Sequence, residues 1–194
     1  LELRDGGDGQ SLSSRIGGLP NGPRGESLWP STESRPMDFV LQLTGTAGGG
    51  DLDMGDIQLL QVFADLEGEY YEQNELVVHR EPCPAVLPVP LGVDLAPVRS
   101  MRFEPGDDDR VLIDVEWPFE GEPFFEEHRA AWSHACVDKA FGVPVGGNLQ
   151  PEYITDSAGQ PMRCLLQLMS HDDWFHWYIF ASADFRELEL VVIR

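Results

Sequence analysis

Apolar residues in this chain gather in short runs between turn formers, a pattern of strands rather than of long amphipathic helices. Phe39–Leu43 and Leu165–Leu168 are compact runs of strand length, and Pro36-Met37 and Pro161-Met162 precede them. Leu60–Phe63 and Trp177–Phe180 are two further runs, each following an acidic turn. Glu75–His79, Val98–Phe103 and Val111–Trp117 add strand candidates, bounded by Pro clusters and by the acidic stretch Glu104–Asp109. Leu188–Ile193 reads as a closing strand, and Pro82–Pro97 as a connector. One helix is predicted around Pro123–Phe141. There Phe125, Trp132, Cys136 and Ala140 recur at helical spacing, and Glu126 and Glu127 suit the first turn. The expected fold class is α+β: strand-rich, mostly antiparallel sheets with few helices.

A second regularity overlies the first. Arg15-Ile16-Gly17-Gly18-Leu19-Pro20 lines up with Lys139-Ala140-Phe141-Gly142-Val143-Pro144. At nearly the same spacing Pro36–Leu43 pairs with Pro161–Leu168, sharing Pro, Met, Leu, Gln and Leu. Two matched blocks in one order argue for internal duplication. Leu60–Phe63 against Trp177–Phe180 is a weaker third match. The expected organisation is a flexible segment 1–13 and a single pseudo-duplicated domain 14–194. Within it, repeat one covers about 14–70, a connector about 71–137 and repeat two about 138–194.

Composition narrows the function. With 34 acidic against 13 basic residues, the formal charge is −21 among 194 residues. Such a field repels nucleic-acid phosphates and anionic lipid, so neither nucleic acid nor membrane is expected as partner, and a basic protein is. The longest uncharged apolar run, Ala85–Val93, is broken by Pro88, Pro90 and Gly92 and falls short of the roughly 20 residues of a membrane helix. Leu1–Ser14 is rich in Gly, Asp and Ser without an apolar stretch, so no signal peptide is expected, and the absence of an initiator Met points to a missing start. Cys83, Cys136 and Cys164 are odd in number and widely spaced, unlike a disulfide framework, which leaves a reducing cytoplasm as the expected compartment.

The chemistry candidates are few. Asp51-Leu52-Asp53-Met54-Gly55-Asp56 imitates the start of a calcium loop, but Asp56 and Val62 stand where an EF-hand needs Gly and Glu. A flexible acidic hairpin loop is expected instead, and Asp107-Asp108-Asp109 reads the same way. His128, His134 and Cys136 fall on different faces of the predicted helix and share no metal site. The stretch His171–His176, two histidines and two carboxylates beside aromatics, could hold a metal or acid–base site, yet acidic turns are common. The five Trp are expected chiefly in cores. Neither a nucleophile elbow nor a phosphate loop is present. No catalytic residue, metal or cofactor is assigned. Arg15 and Lys139 hold equivalent places in the two copies, and a cleft between repeats lined by Arg15, Lys139, His171 and His176 is the candidate ligand site, with a local salt bridge as the plainer role of the two cations.

Taken together, Ser14–Pro20, Trp29-Pro30 and the Gln42 strand, then Lys139–Pro144, Leu149–Glu152 and Gly159–Leu168, resemble the YwqG-like family of bacterial domains of unknown function. The resemblance spans roughly Ser14–Phe180 and implies a pseudo-duplicated, strand-rich cytoplasmic protein with no established catalytic residue. Thr155 and Ala158 stand where many relatives carry a Cys-x-x-Cys pair, so a zinc knuckle is not carried over. Relatives discussed as immunity partners of toxins make an interaction module against a basic toxin the leading expectation. An enzyme, or a sensor of a small molecule or anion at the inter-repeat cleft, is the alternative. A folding unit of a larger protein is a third.

Overall fold

A computed structural model describes residues 2–5, 12–24, 29–66, 73–103, 139–141, 154–169 and 176–193. They form strands β1 (Glu2–Asp5), β2 (Arg15–Ile16), β3 (Asn21–Gly22), β4 (Asp38–Thr44), β5 (Leu59–Ala64), β6 (Asn74–His79), β7 (Ala85–Val86), β8 (Arg99–Arg102), β9 (Lys139–Ala140), β10 (Arg163–Met169), β11 (His176–Ala181) and β12 (Leu188–Ile193). Among the described residues the helical content is one 3-10 turn, Thr46–Gly48. None of their helices is long and apolar enough to cross a membrane. The described residues are mostly β, and every strand pairing among them is antiparallel.

The chain divides into two compact units, Leu1–Phe103 and Glu104–Arg194. The first holds a six-stranded sheet in the order β1-β8-β2-β4-β5-β6 and a small β3-β7 ribbon, and the second a four-stranded sheet, β12-β11-β10-β9. Strand β5 is buried at every position and β4 at all but Val40. That is why they read as continuous apolar runs, not as alternating ones: both faces of each strand are covered.

The helix expected over 123–141 lies outside the described residues as far as Asp138. Its end is not helical: Lys139 and Ala140 are extended opposite Gln167 and Leu166, and Phe141 takes φ 60°. Pairing with a buried strand overrides the good intrinsic helix propensity of Lys and Ala, as tertiary context routinely does. The strand candidate Val111–Trp117 and Asp107–Asp109 also lie outside the described residues.

Two four-strand arrays, β2-β4-β5-β6 and β9-β10-β11-β12, run in the same order. Both carry a bulge at the same place. Val40 is the extra residue between Phe39, opposite Phe63, and Leu41, opposite Val62. Leu165 is the extra residue between Cys164, opposite Phe180, and Leu166, opposite Ile179. The weak match of Leu60–Phe63 to Trp177–Phe180 is a match of register, since Leu60 opposes Leu43 and Trp177 opposes Leu168. The fourth strands also agree. Glu75–Val78 and Glu189–Val192 are both Glu-Leu-Val-Val, and Phe63 opposes Glu75 as Phe180 opposes Glu189. Residues 74–79, expected in the connector, thus lie in the first array.

A tight turn precedes the central strand of each array. Isolated bridges join Ser31 to Pro36 and Thr155 to Pro161. The Thr32 hydroxyl accepts from the amides of Ser34 (3.2 Å) and Arg35 (3.1 Å). Asp156 Oδ1 does the same for Ala158 (3.0 Å) and Gln160 (2.8 Å). A side-chain oxygen that mimics a backbone acceptor sets the turn in both. The Met37 amide then donates to Pro30 O (3.0 Å) and the Met162 amide to Ile154 O (2.9 Å).

The cores follow the same plan. Trp29, Met37, Phe39, Phe63 and Leu87 form one buried cluster, with Val77 and Val93 against it. Met162, Cys164, Tyr178 and Phe180 form another, with Ile154, Val191 and Ile193. Trp29 Nε1 donates to Met37 O (2.7 Å), and Trp177 is also buried, in accord with core roles for these two.

The acidic segment 51–56, expected to be a flexible hairpin loop, belongs to a longer loop, 45–58, that is folded on itself. The amides of Gly48 and Gly50 both donate to Gly45 O (2.9 Å each), and that of Thr46 donates to Leu52 O (2.8 Å). Leu52, Met54 and Ile57 are buried beneath it.

Candidate functional site

Burial of polar side chains in an otherwise apolar sheet marks the place where the first unit departs from simple packing. Ser14, Arg15, Asn21, Gln42, Thr44, Gln61 and His79 are all buried. Strand pairing sets them side by side: Arg15 lies opposite Gln42, which lies opposite Gln61, and His79 enters at the end of β6, opposite Leu59.

The hydrogen bonds converge on Asn21. Arg15 Nη2 donates to Asn21 Oδ1 (2.9 Å) and to Leu19 O, and Nη1 donates to Ser13 O (3.2 Å). Gln42 Nε2 donates to Asn21 Oδ1 (3.0 Å) and Ser13 O (2.9 Å), while its Oε1 accepts from the Asn21 amide (3.1 Å). Gln61 Nε2 donates to Asn21 O (2.8 Å). Its Oε1 therefore faces His79 Nε2 at 3.1 Å, which makes that nitrogen the donor and fixes the neutral ring as the Nε2–H tautomer. Asn21 is the hub. Each bond contributes about 1 kcal/mol net, and each polar group would cost about 1–3 kcal/mol if left buried and unpaired.

Burial pulls the His79 pKa below the ordinary imidazole value, partly opposed by the Glu81 carboxylate. Arg15 is 1% exposed, and its bonds to residues 13, 19 and 21 clasp the Gly-Pro block 17–20. An anion would reach the guanidinium only by displacing those bonds.

The other sequence candidates lie in the second unit. Lys139 holds in β9 the place that Arg15 holds in β2, opposite Gln167 as Arg15 is opposite Gln42. His171 lies outside the described residues. His176 opens β11, half-buried; its ring stacks on Tyr178 (centroids 6.4 Å apart), which stacks on Phe180 (6.3 Å). Its Nδ1 is 3.4 Å from the Tyr178 hydroxyl, and burial lowers its pKa.

Cys83 and Cys164 are buried, and no disulfide joins them. Burial, reinforced by the Glu81 charge, pushes the Cys83 thiol up to about 11, so its nucleophilic thiolate is scarce near neutrality. Among the described residues no three His, Cys, Asp or Glu side chains gather as metal ligands.

Asn21, Gln61 and His79 were not foreseen as a set. The readable signal was a glutamine inside an apolar strand at matched places, Gln42 and Gln167, because an amide there must find buried partners. No family model matches the chain, and comparison with curated proteins returns no relative.

Proposed function

We propose that this chain is a non-catalytic interaction module that binds a basic protein, of the kind an immunity factor presents to a toxin. The formal charge of −21 carries the reading, because a strongly acidic surface steers cationic partners and disfavours anionic ones. The polar groups gathered in the first unit support it, since Arg15, Asn21, Gln42 and Gln61 bond to one another and to backbone.

The two arrays are read as copies of one duplicated, YwqG-like unit, to which a single helix between them would give the α+β class. Shared strand order, the matched bulge and the repeated Glu-Leu-Val-Val strand support that descent.

The test is retention of a basic protein from the producing cells at low salt, with release at high salt as screening removes the attraction. Retention that ignores salt, or no basic protein retained, overturns the reading. A thermal shift with phosphate or metal ions but with no protein moves the assignment to the sensor alternative.

A further inference from the structure

The segment Pro82–Pro97 crosses the first unit as a strap fixed at both ends to the Gly-Pro block. At one end β7 pairs with β3, and the Leu87 amide donates to Pro20 O (2.9 Å). At the other, the Gly18 amide donates to Ala96 O (3.0 Å). The contact is close: Gly17 sits at φ +66°, and a Cβ there would meet Pro97 O at 2.4 Å, so only glycine fits. Leu87 is buried with Trp29 and Phe63, and Val93 packs on the same cluster.

Between these anchors the chain turns outward. The Val93 amide reaches back to Pro90 O (3.4 Å). A Cβ built on Gly92 would meet nothing within 4 Å, so the tip stands clear of the rest of the fold. At that tip Leu91 is 99% exposed, and Val89 and Leu95 on either side of it in the chain are exposed as well. Isolated exposed apolar residues are ordinary, but a cluster of them on an anchored, proline-stiffened loop marks an interaction surface. A loop already held in shape loses little entropy when it binds.

The occupant follows from charge. From Glu81 to Val98 there is no Lys or Arg, the knuckle's own charge is that of Asp94, and the adjoining Arg80 is paired with Asp56. A second copy of the chain, also at −21, is repelled, and so is an anionic membrane.

We propose that the 88–95 knuckle, led by Leu91, is the docking element for the basic partner, an apolar plug for a pocket rimmed by Lys or Arg. The inference rests on the binding function proposed above and assigns it a place.

The experiment puts photoreactive p-benzoylphenylalanine at position 91 of the full chain, and separately at the exposed Glu75 and Glu189. Adducts formed in the producing cells are identified by mass spectrometry, and the crosslinked protein is purified and titrated against the unmodified chain, Leu91→Ala and Leu91→Asp. The knuckle is supported if position 91 captures a basic protein whose affinity falls several-fold for Leu91→Ala and at least tenfold for Leu91→Asp, with thermal midpoints unchanged. Adducts from position 75 or 189 alone overturn the knuckle and leave the binding function standing. Adducts of position 91 with lipid or with the chain itself overturn the basic-partner assignment of the knuckle. No foreign protein at any position overturns both.

Discussion

The two arrays share backbone order, bulge and turn, and a cation opposite a glutamine, yet they fill the position beside that glutamine with opposite chemistry. Where the first places Gln61 between Gln42 and Val77, the second places Tyr178 between Gln167 and Val191. At the next pair Leu59 opposes His79, while His176 opposes Ile193, so the imidazole has changed strands. The first array runs amides and a guanidinium through its sheet, whereas the second stacks His176, Tyr178 and Phe180. Pairing register and bulge thus define the scaffold, and the side chains at its centre are exchangeable only as sets.

Exchanging one member alone should break the comparison most sharply. Tyr178→Gln removes a fully buried ring from an apolar cluster and leaves an amide there, an expected loss of roughly 4 kcal/mol in urea unfolding. A loss under 1 kcal/mol would show that the two positions accept either chemistry. Arg15→Met is expected to cost about 3 kcal/mol, because Leu19 O and Asn21 Oδ1 each lose a charged donor. A variant as stable as the parent would mean that the clasp on the Gly-Pro block is dispensable.

The histidines give a pH test. Burial lowers the pKa of both His79 and His176, so the unfolded chain binds their protons more readily than the folded one. Their contribution is therefore intact above about pH 6.5, the ordinary imidazole value, and is lost as pH falls through and below it. Acidification also relieves the repulsion of a −21 chain, so the comparison is with His79→Gln, whose stability should fall less between pH 7.5 and 5.5. Equal slopes for parent and variant would remove His79 from the account.

The smallest effect is expected at Thr44, whose buried Oγ1 finds no hydrogen-bond partner. Thr44→Val should be neutral or stabilising by up to about 1 kcal/mol, since it removes an unpaired hydroxyl from the interior. Destabilisation beyond that would reveal a partner for this oxygen.

Much of the scaffold was legible in the sequence. Pro36–Leu43 and Pro161–Leu168 matched because they lead into and form a central strand of each array, where burial on both faces constrains most residues. The fourth strands escaped notice although both read Glu-Leu-Val-Val. The intervals between strands differ, six residues between Met169 and His176 against fourteen between Thr44 and Leu59, so the match slides out of constant spacing. The helix reading failed at Lys139 and Ala140, whose state is set by a strand distant in sequence. The polar set was hidden for a related reason. Asn21 and His79 lie far apart along the chain and meet only through Gln61, and periodicity carries no information about such a bridge.

That bridge bears on how the sequence can change. Side chains wired in series are energetically coupled, so the cost of altering one depends on which neighbours remain. Gln61 with His79, and Asn21 with Gln42 and Arg15, should therefore vary as two sets in descendants of this chain, with single changes disfavoured and concerted ones tolerated, while the bond from Gln61 to the Asn21 backbone carbonyl asks nothing of the side chain at 21. The apolar cluster around Tyr178 and Phe180 can drift one methyl group at a time, because packing asks only for volume. One half of the molecule is thus bound to concerted substitution, and the other is open to gradual change.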